Sequence, residues 1–321
     1  YNAKMLEKEH LQKIIHVKPV KDLKKLEITF SAPDVDLHWE AKPSHFLSHL
    51  IGHEGSGSLL AHLKHIGLAN GLSAGGHTVS SGNAVFSIDI DLTDEGIVCY
   101  ENVSLIVFQY IEMLKNSLPA EWIYLELEDI EKAAFKFKQK GGPASTVSSL
   151  AKSLEKEYIP VQNILATNLY TKYEPDEIAK YVNSLKVENC RFMLMSKSSN
   201  TDSAEKWYGT EYSVDDFSED LIKMLKNPGL NSKLHLPRPN EFIATNFKVD
   251  KLENITPLEE PLLLKDGKFS KLWYKKDDRF WQPRGYIYVS FKLPHTHASI
   301  VNTMLTTLYC LLYTSDAADE G

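Results

Sequence analysis

The sequence predicts an α+β protein made of more than one αβ unit, and three observations carry that expectation. LEITF (26–30) and FSIDIDL (86–92) alternate apolar and polar positions, the period of a half-buried strand. Between such stretches, capping hydroxyls, prolines and glycines bound longer segments with helical spacing. LEITFSAP (26–33) is echoed by YVSFKLP (288–294), each a strand that runs out before a proline with a helix expected next. One αβ unit therefore ends near residue 226, and a second begins near Leu258 and is cut off.

Taken in order, residues 1–22 are charged and weakly periodic and read as the end of a linker. Pro33 and the Asp34–Asp36 stretch break the first strand. Pro43 suits a first helical turn, and a helix should carry His45 and His49 before stopping near Gly52. Ser58 to His65 is a second short helix, closed by Gly67. Leu68 to Val79 is rich in glycine and reads as an irregular strand, because Gly71, Gly75 and Gly76 offer no side chain to pack. Thr93, with Asp94 and Glu95 behind it, starts a helix expected to reach Lys115. Pro119 opens another, ended by Gly141, Gly142 and Pro143. Helices over 146–158 and 175–185, a strand at 191–196 and a helix over 214–225 follow. The proline-rich stretch 227–246 is a connector.

The 321 residues are 43% hydrophobic and 25% charged, the balance of a globular chain. A net charge of −7 with no basic run argues against a nucleic-acid partner. No segment approaches the roughly 18 apolar residues of a membrane span. Three cysteines, Cys99, Cys190 and Cys310, make no disulfide framework and suit a reducing compartment; Cys99 and Cys190 read as small buried residues. Trp122, Trp207, Trp273 and Trp281 read as core or interface packing rather than ligand contacts. The first residues show no signal-peptide core and no initiating Met, so the chain is expected to begin inside a longer protein. At the other end, CLLYTSDAADEG (310–321) resembles the translation of a library-adapter sequence.

The stretch Ser44–Gly57, SHFLSHLIGHEGSG, bears most on chemistry. Inverted-zincin proteases place H-x-x-E-H on a helix, where two histidines one turn apart bind zinc and the glutamate activates the bound water. Here His45 and His49 keep the spacing, as do His49 and His53, but Ser48 and Gly52 stand where the glutamate belongs. Neither can act as a base near neutral pH. Glu54 follows His53 directly and would lie about 100° round a helix from it. A later helix offers Glu126, Glu128, Asp129 and Glu131. Three readings stay open at this point: a residual metal site, histidines facing a polar groove, or a peptide-binding wall.

HFLSHLIGHEGSGSLLAHLK (45–64), DLTDEG (91–96), FQYIEMLK (108–115), EKWYGT (205–210) and NEFIATNF (240–247) resemble the insulysin branch of the pitrilysin-type zinc metallopeptidases. The likeness runs from about His10 to Tyr309. It implies a two-layer αβ unit, a mixed or antiparallel sheet with helices on one face, repeated four times along a full-length polypeptide. This chain would then hold the end of an upstream linker (1–22), a second, non-catalytic domain (23–226), a connector (227–256) and the start of a third domain (257–309). Zinc would belong to the parent protein and not to this piece, because only the first domain of such proteins carries H-x-x-E-H. Residue by residue, the family's substrate-anchoring exosite falls on His45, His49, Gly52, Glu54, Leu72, Ser73, Ala74 and Gly75. The partners implied are peptide substrates, the remaining domains of the same polypeptide and a second copy in a homodimer, in the cytosol. The alternative is a piece of a catalytically inactive relative that serves as a binding or scaffold protein.

Overall fold

The computed structural model describes residues 4–319. They fall into two units, one of residues up to Lys132 together with Gly141–Glu241, the other of Ala133–Lys140 and Phe242–Asp319. No helix among the described residues is long and apolar enough to cross a membrane.

The first unit opens with β1 (Lys13–Lys18) and β2 (Lys25–Ala32). Helix α1 (Pro43–Ile51) starts on a proline, which has no N–H to leave unpaired, and buries Phe46, Leu47, Leu50 and Ile51 at helical spacing. Helix α2 (Leu59–His65) is capped by Ser58, whose hydroxyl accepts from the Ala61 N–H at 3.1 Å. Strands β3 (Ala69–Ser80) and β4 (Asn83–Leu92) form a hairpin. Thr93 caps α3 (Asp94–Val98) by accepting from the Gly96 N–H, and the helix breaks at Cys99 before α4 (Tyr100–Ser117). Then come α5 (Glu121–Lys136), whose last turn belongs to the second unit, α6 (Pro143–Glu155) and α7 (Pro175–Ser184). Strands β5 (Cys190–Met195), β6 (Ser203–Ala204) and β7 (Glu211–Asp216) and helix α8 (Glu219–Lys226) close the unit.

Seven strands make one mixed sheet in the order β3-β4-β2-β5-β1-β7-β6. Only β1 and β5 run parallel; the other neighbours are antiparallel. Leu26, Ile28 and Phe30 of β2 and Phe86, Ile88 and Ile90 of β4 sit opposite one another, fully buried, in one cluster with Val103, Val107, Tyr110 and Leu114 of α4. Each such side chain contributes about 1.5–3 kcal/mol by leaving water. The alternate residues are polar: the Thr29 hydroxyl donates to Glu27 and lies 3.3 Å from that of Ser87. Period-2 alternation thus gives one apolar, helix-covered face and one polar face.

Several expectations need correction. Lys13–Lys18, read as linker, is an interior strand between β5 and β7, so the αβ unit starts before residue 23. The glycine-rich stretch is a strand with irregularities, as expected; it is 12 residues long and the irregularities lie near its two ends. Val214–Asp216, placed in a helix, ends β7; the helix starts later, where the Ser218 hydroxyl accepts from the Leu221 N–H. Cys190 is buried as expected, but Cys99 is exposed.

In the second unit β8 (Leu262–Asp266) and β9 (Lys271–Tyr274) form an antiparallel hairpin, and α9 spans Ile300–Asp319. YVSFKLP (288–294), expected as a strand echoing β2, pairs with no strand among the described residues. The adapter-like stretch 310–321 lies mostly outside the described side chains, which end at Leu311.

Candidate functional site

Helix α1 packs against β3, the strand at one edge of the sheet. β4 takes one side of β3, and no strand among the described residues pairs with its other side. Pairing in register puts Leu72 opposite Ile90 and Ala74 opposite Ile88, on the apolar face that α1 shares. Ser73 opposite Asp89 and Gly75 opposite Ser87 lie on the polar face. The eight residues of the expected exosite are therefore split. His45 and His49 lie on α1, and Gly52 caps it through a 2.9 Å bond from its N–H to the Ser48 carbonyl. His53 and Glu54 lie beyond the helix end, so the second histidine register, His49 to His53, is not helical.

His45, His49 and His53 follow one another along this surface, with the His49 and His53 rings edge-on at 6.1 Å. Both His45 and His49 reach solvent, yet nearby protein removes enough water to disfavour protonation. His49 is pushed down to about 4, first by burial and then by His53 and His45. Burial also lowers His53 and His45; Glu131 opposes the shift at His45, and Lys42 adds to it. A histidine with a folded pKa near 4 against 6.5 unfolded takes up its proton more readily when unfolded. Its contribution to stability is therefore complete above 6.5 and is lost as pH falls toward 4. His49→Asn should flatten the fall in melting temperature across that window; parallel wild-type and variant curves would count against this account.

Beneath α1 lies a polar cluster that spacing along the chain did not mark. The Lys42 ammonium donates to the carbonyls of Trp39 and Thr167 and sits 5.8 Å from the Tyr170 ring centroid. Burial lowers its pKa to about 8. The fully buried Tyr170 meets His45 Nδ1 at 2.5 Å through its hydroxyl. Tyr124 packs edge-on against Tyr170 with centroids 5.0 Å apart.

One ring nitrogen of His45 is already bonded to Tyr170, and Ser48 Oγ donates to the Ser44 carbonyl at 2.8 Å. Among the described residues no three His, Cys, Asp or Glu side chains converge as metal ligands. What the surface offers is an unpaired strand edge, three histidines held largely neutral and a carboxylate. Glu54 Oε2 lies 3.5 Å from Lys64 Nζ, a loose pair. That set suits an extended polar chain with a positive end.

Two family profiles match the chain. One, described as "Peptidase M16 inactive domain", covers residues 3–127; the other, "Middle or third domain of peptidase_M16", covers residues 135–320. The A-factor-processing enzyme of Saccharomyces cerevisiae is 67% identical over 312 residues, 97% of this chain and 30% of that protein. Insulin-degrading enzyme of Homo sapiens is 39% identical over 307 residues, 94% of this chain and 30% of that protein. The chain thus spans less than a third of the length of these relatives. The crystal structure of pitrilysin superimposes with a TM-score of 0.75 at 22% identity, over 86% of this chain and 29% of that one. At that identity the likeness speaks for the fold alone.

Proposed function

This chain belongs to the M16 peptidases, in their insulysin-like branch, and from that premise we propose that it is the substrate-anchoring part of a zinc-dependent metalloendopeptidase. In this reading the parent protein cleaves peptides inside a closed chamber, and the zinc and its base belong to another domain. The αβ domain here runs to about residue 226, with a connector over 227–256 and the start of a third domain over 257–309. Cytosolic residence and homodimerisation are part of the same proposal.

The unpaired outer edge of β3, with α1 packed beside it, carries the anchoring role. An extended peptide can add to that edge as a further strand through main-chain hydrogen bonds. Gly75 leaves the approach open, since a side chain there would meet nothing within 4 Å. His45, His49 and Gly52 line the flank, and Glu54 takes the peptide's α-ammonium.

The test is binding and turnover measured on the same material. The chain should bind a fluorescent extended peptide with a dissociation constant on the order of micromolar, and should hydrolyse no fluorogenic peptide with zinc added. Chelator-sensitive cleavage would overturn the non-catalytic assignment, and absence of binding would overturn the anchoring role.

A further inference from the structure

Tyr170 lies in an irregular segment 125 residues from His45, yet its only hydrogen-bond partner among the described residues is His45 Nδ1, at 2.5 Å. Tyr170 is fully buried. A buried phenol that gives its proton to no acceptor costs about 1–3 kcal/mol, and a backbone or side-chain acceptor must be found for it. His45 Nδ1 is the acceptor available. Were Nδ1 to carry a proton and donate instead, the phenol proton would be left buried and unpaired. The Lys42 ammonium close to the Tyr170 ring adds a second reason, since a positive charge there opposes an imidazolium at His45. Tyr170 itself stays a phenol, because burial raises its pKa above the ordinary value.

Two contacts hold the Tyr170 ring in place: Tyr124 packs edge-on against it at 87°, and the Lys42 ammonium beside it is tied to two carbonyls. With Nδ1 committed inward as an acceptor, the neutral imidazole carries its proton on Nε2. His45 is exposed, so that N–H is the group it presents to a ligand.

We propose that Tyr170 is a positioning residue that fixes His45 as an Nε2–H donor, so that His45 binds a main-chain carbonyl of the anchored peptide. The proposal rests on the anchoring reading above and divides the labour within it: Glu54 meets the ammonium, and His45 meets an acceptor. His45 is thereby excluded as an ammonium acceptor.

Long-range proton–nitrogen spectra of the full chain with 15N-labelled histidine read the tautomer directly, with the His45 signals assigned from His45→Gln. Wild type should show His45 protonated on Nε2 with Nδ1 bare; Tyr170→Phe should move the Nδ1 resonance and mix the tautomers. Peptide affinity is read on the same samples with a fluorescein-labelled octapeptide that has a free N-terminus. Tyr170→Phe should lower affinity about fivefold, the order of one neutral hydrogen bond. His45→Gln and His45→Glu, which leave Tyr170 in place, should both weaken binding, the acceptor-only Glu by about tenfold more. A wild-type His45 protonated on Nδ1 overturns the assignment, and so does equal loss in the Gln and Glu variants. Binding unchanged in a folded Tyr170→Phe removes the positioning role alone. The expected tautomer with no peptide binding in wild type removes the anchoring reading and the donor role with it.

Discussion

Gly76→Ala is expected to lower stability by about 3 kcal/mol and to loosen α1 from β3. A Cβ at this position would fall 2.2 Å from Ser44 Oγ, 2.7 Å from the Tyr181 hydroxyl and 3.2 Å from Phe86 Cδ2. Those atoms belong to α1, α7 and β4, so the glycine is where three elements meet the edge strand. The Ser44 hydroxyl is hydrogen-bonded to that of Tyr181 and is not free to rotate away. Tyr181 is 1% exposed and packs edge-on against Phe86 with centroids 6.0 Å apart, so it cannot yield either. Relief therefore requires α1, which carries Ser44, to lift, and His45 and His49 move with it. Urea unfolding measures the loss, and Ser44→Ala in the Gly76→Ala background should recover part of it, a coupling expected of groups in contact. Gly75→Ala is the control, since its Cβ meets nothing within 4 Å and should change stability by no more than about 0.5 kcal/mol. Equal losses at the two glycines would remove the close-packing account.

Much of the first unit was legible because its signals are local. β4 announces itself by alternation, α1 by Pro43 and its apolar spacing, and α2 and α3 by the hydroxyls of Ser58 and Thr93. What failed to show depends on partners far along the chain. β1, KIIHVK, is flanked by charge, and its place becomes evident only when β5 and β7 lie on either side. β7 ends in Val214–Asp216, and its acids imitate the first turn of a helix; the true cap is Ser218. YVSFKLP has the strand period but no neighbouring strand among the described residues, and a strand is defined by its pairing.

The candidate site divides in the same way. The histidine spacing and the missing acid were readable, since four residues make one helical turn whatever surrounds them. The roles of Lys42 and Tyr170 were not. Lys42 adopts φ 51° at the start of α1 and turns its ammonium under the helix, while Tyr170 arrives from a segment with no regular structure. Nor does alternation alone say that Ser73 and Gly75 face away from α1; that follows from the register with Asp89 and Ser87. For these two residues any contact with a peptide on the outer edge is main-chain in kind. Side-chain discrimination then falls to α1 and to the turn after it.

Glu54→Gln should lower affinity for a peptide with a free N-terminus by about tenfold, or about 1.4 kcal/mol. The glutamine keeps the shape of the side chain and removes its charge, so the loss reports the ammonium–carboxylate pair. In the unliganded chain Glu54 is paired with Lys64 at 3.5 Å, with the two side chains 34% and 46% exposed. A pair that long and that wet contributes little to stability, so exchanging Lys64 for the peptide's ammonium costs little. Partial exposure also caps the gain well below that of a buried pair, which is why tenfold is expected rather than a thousandfold. Acetylating the probe removes its charge from the other side. Wild type should bind the acetylated peptide more weakly, and Glu54→Gln should not weaken it further, the signature of one shared interaction. The wild-type preference for the free amine should also shrink as salt is raised. Equal losses with free and acetylated peptides would place the ammonium elsewhere. Glu54 would then be a surface partner of Lys64, and the strand edge would have to hold the peptide through its main chain alone.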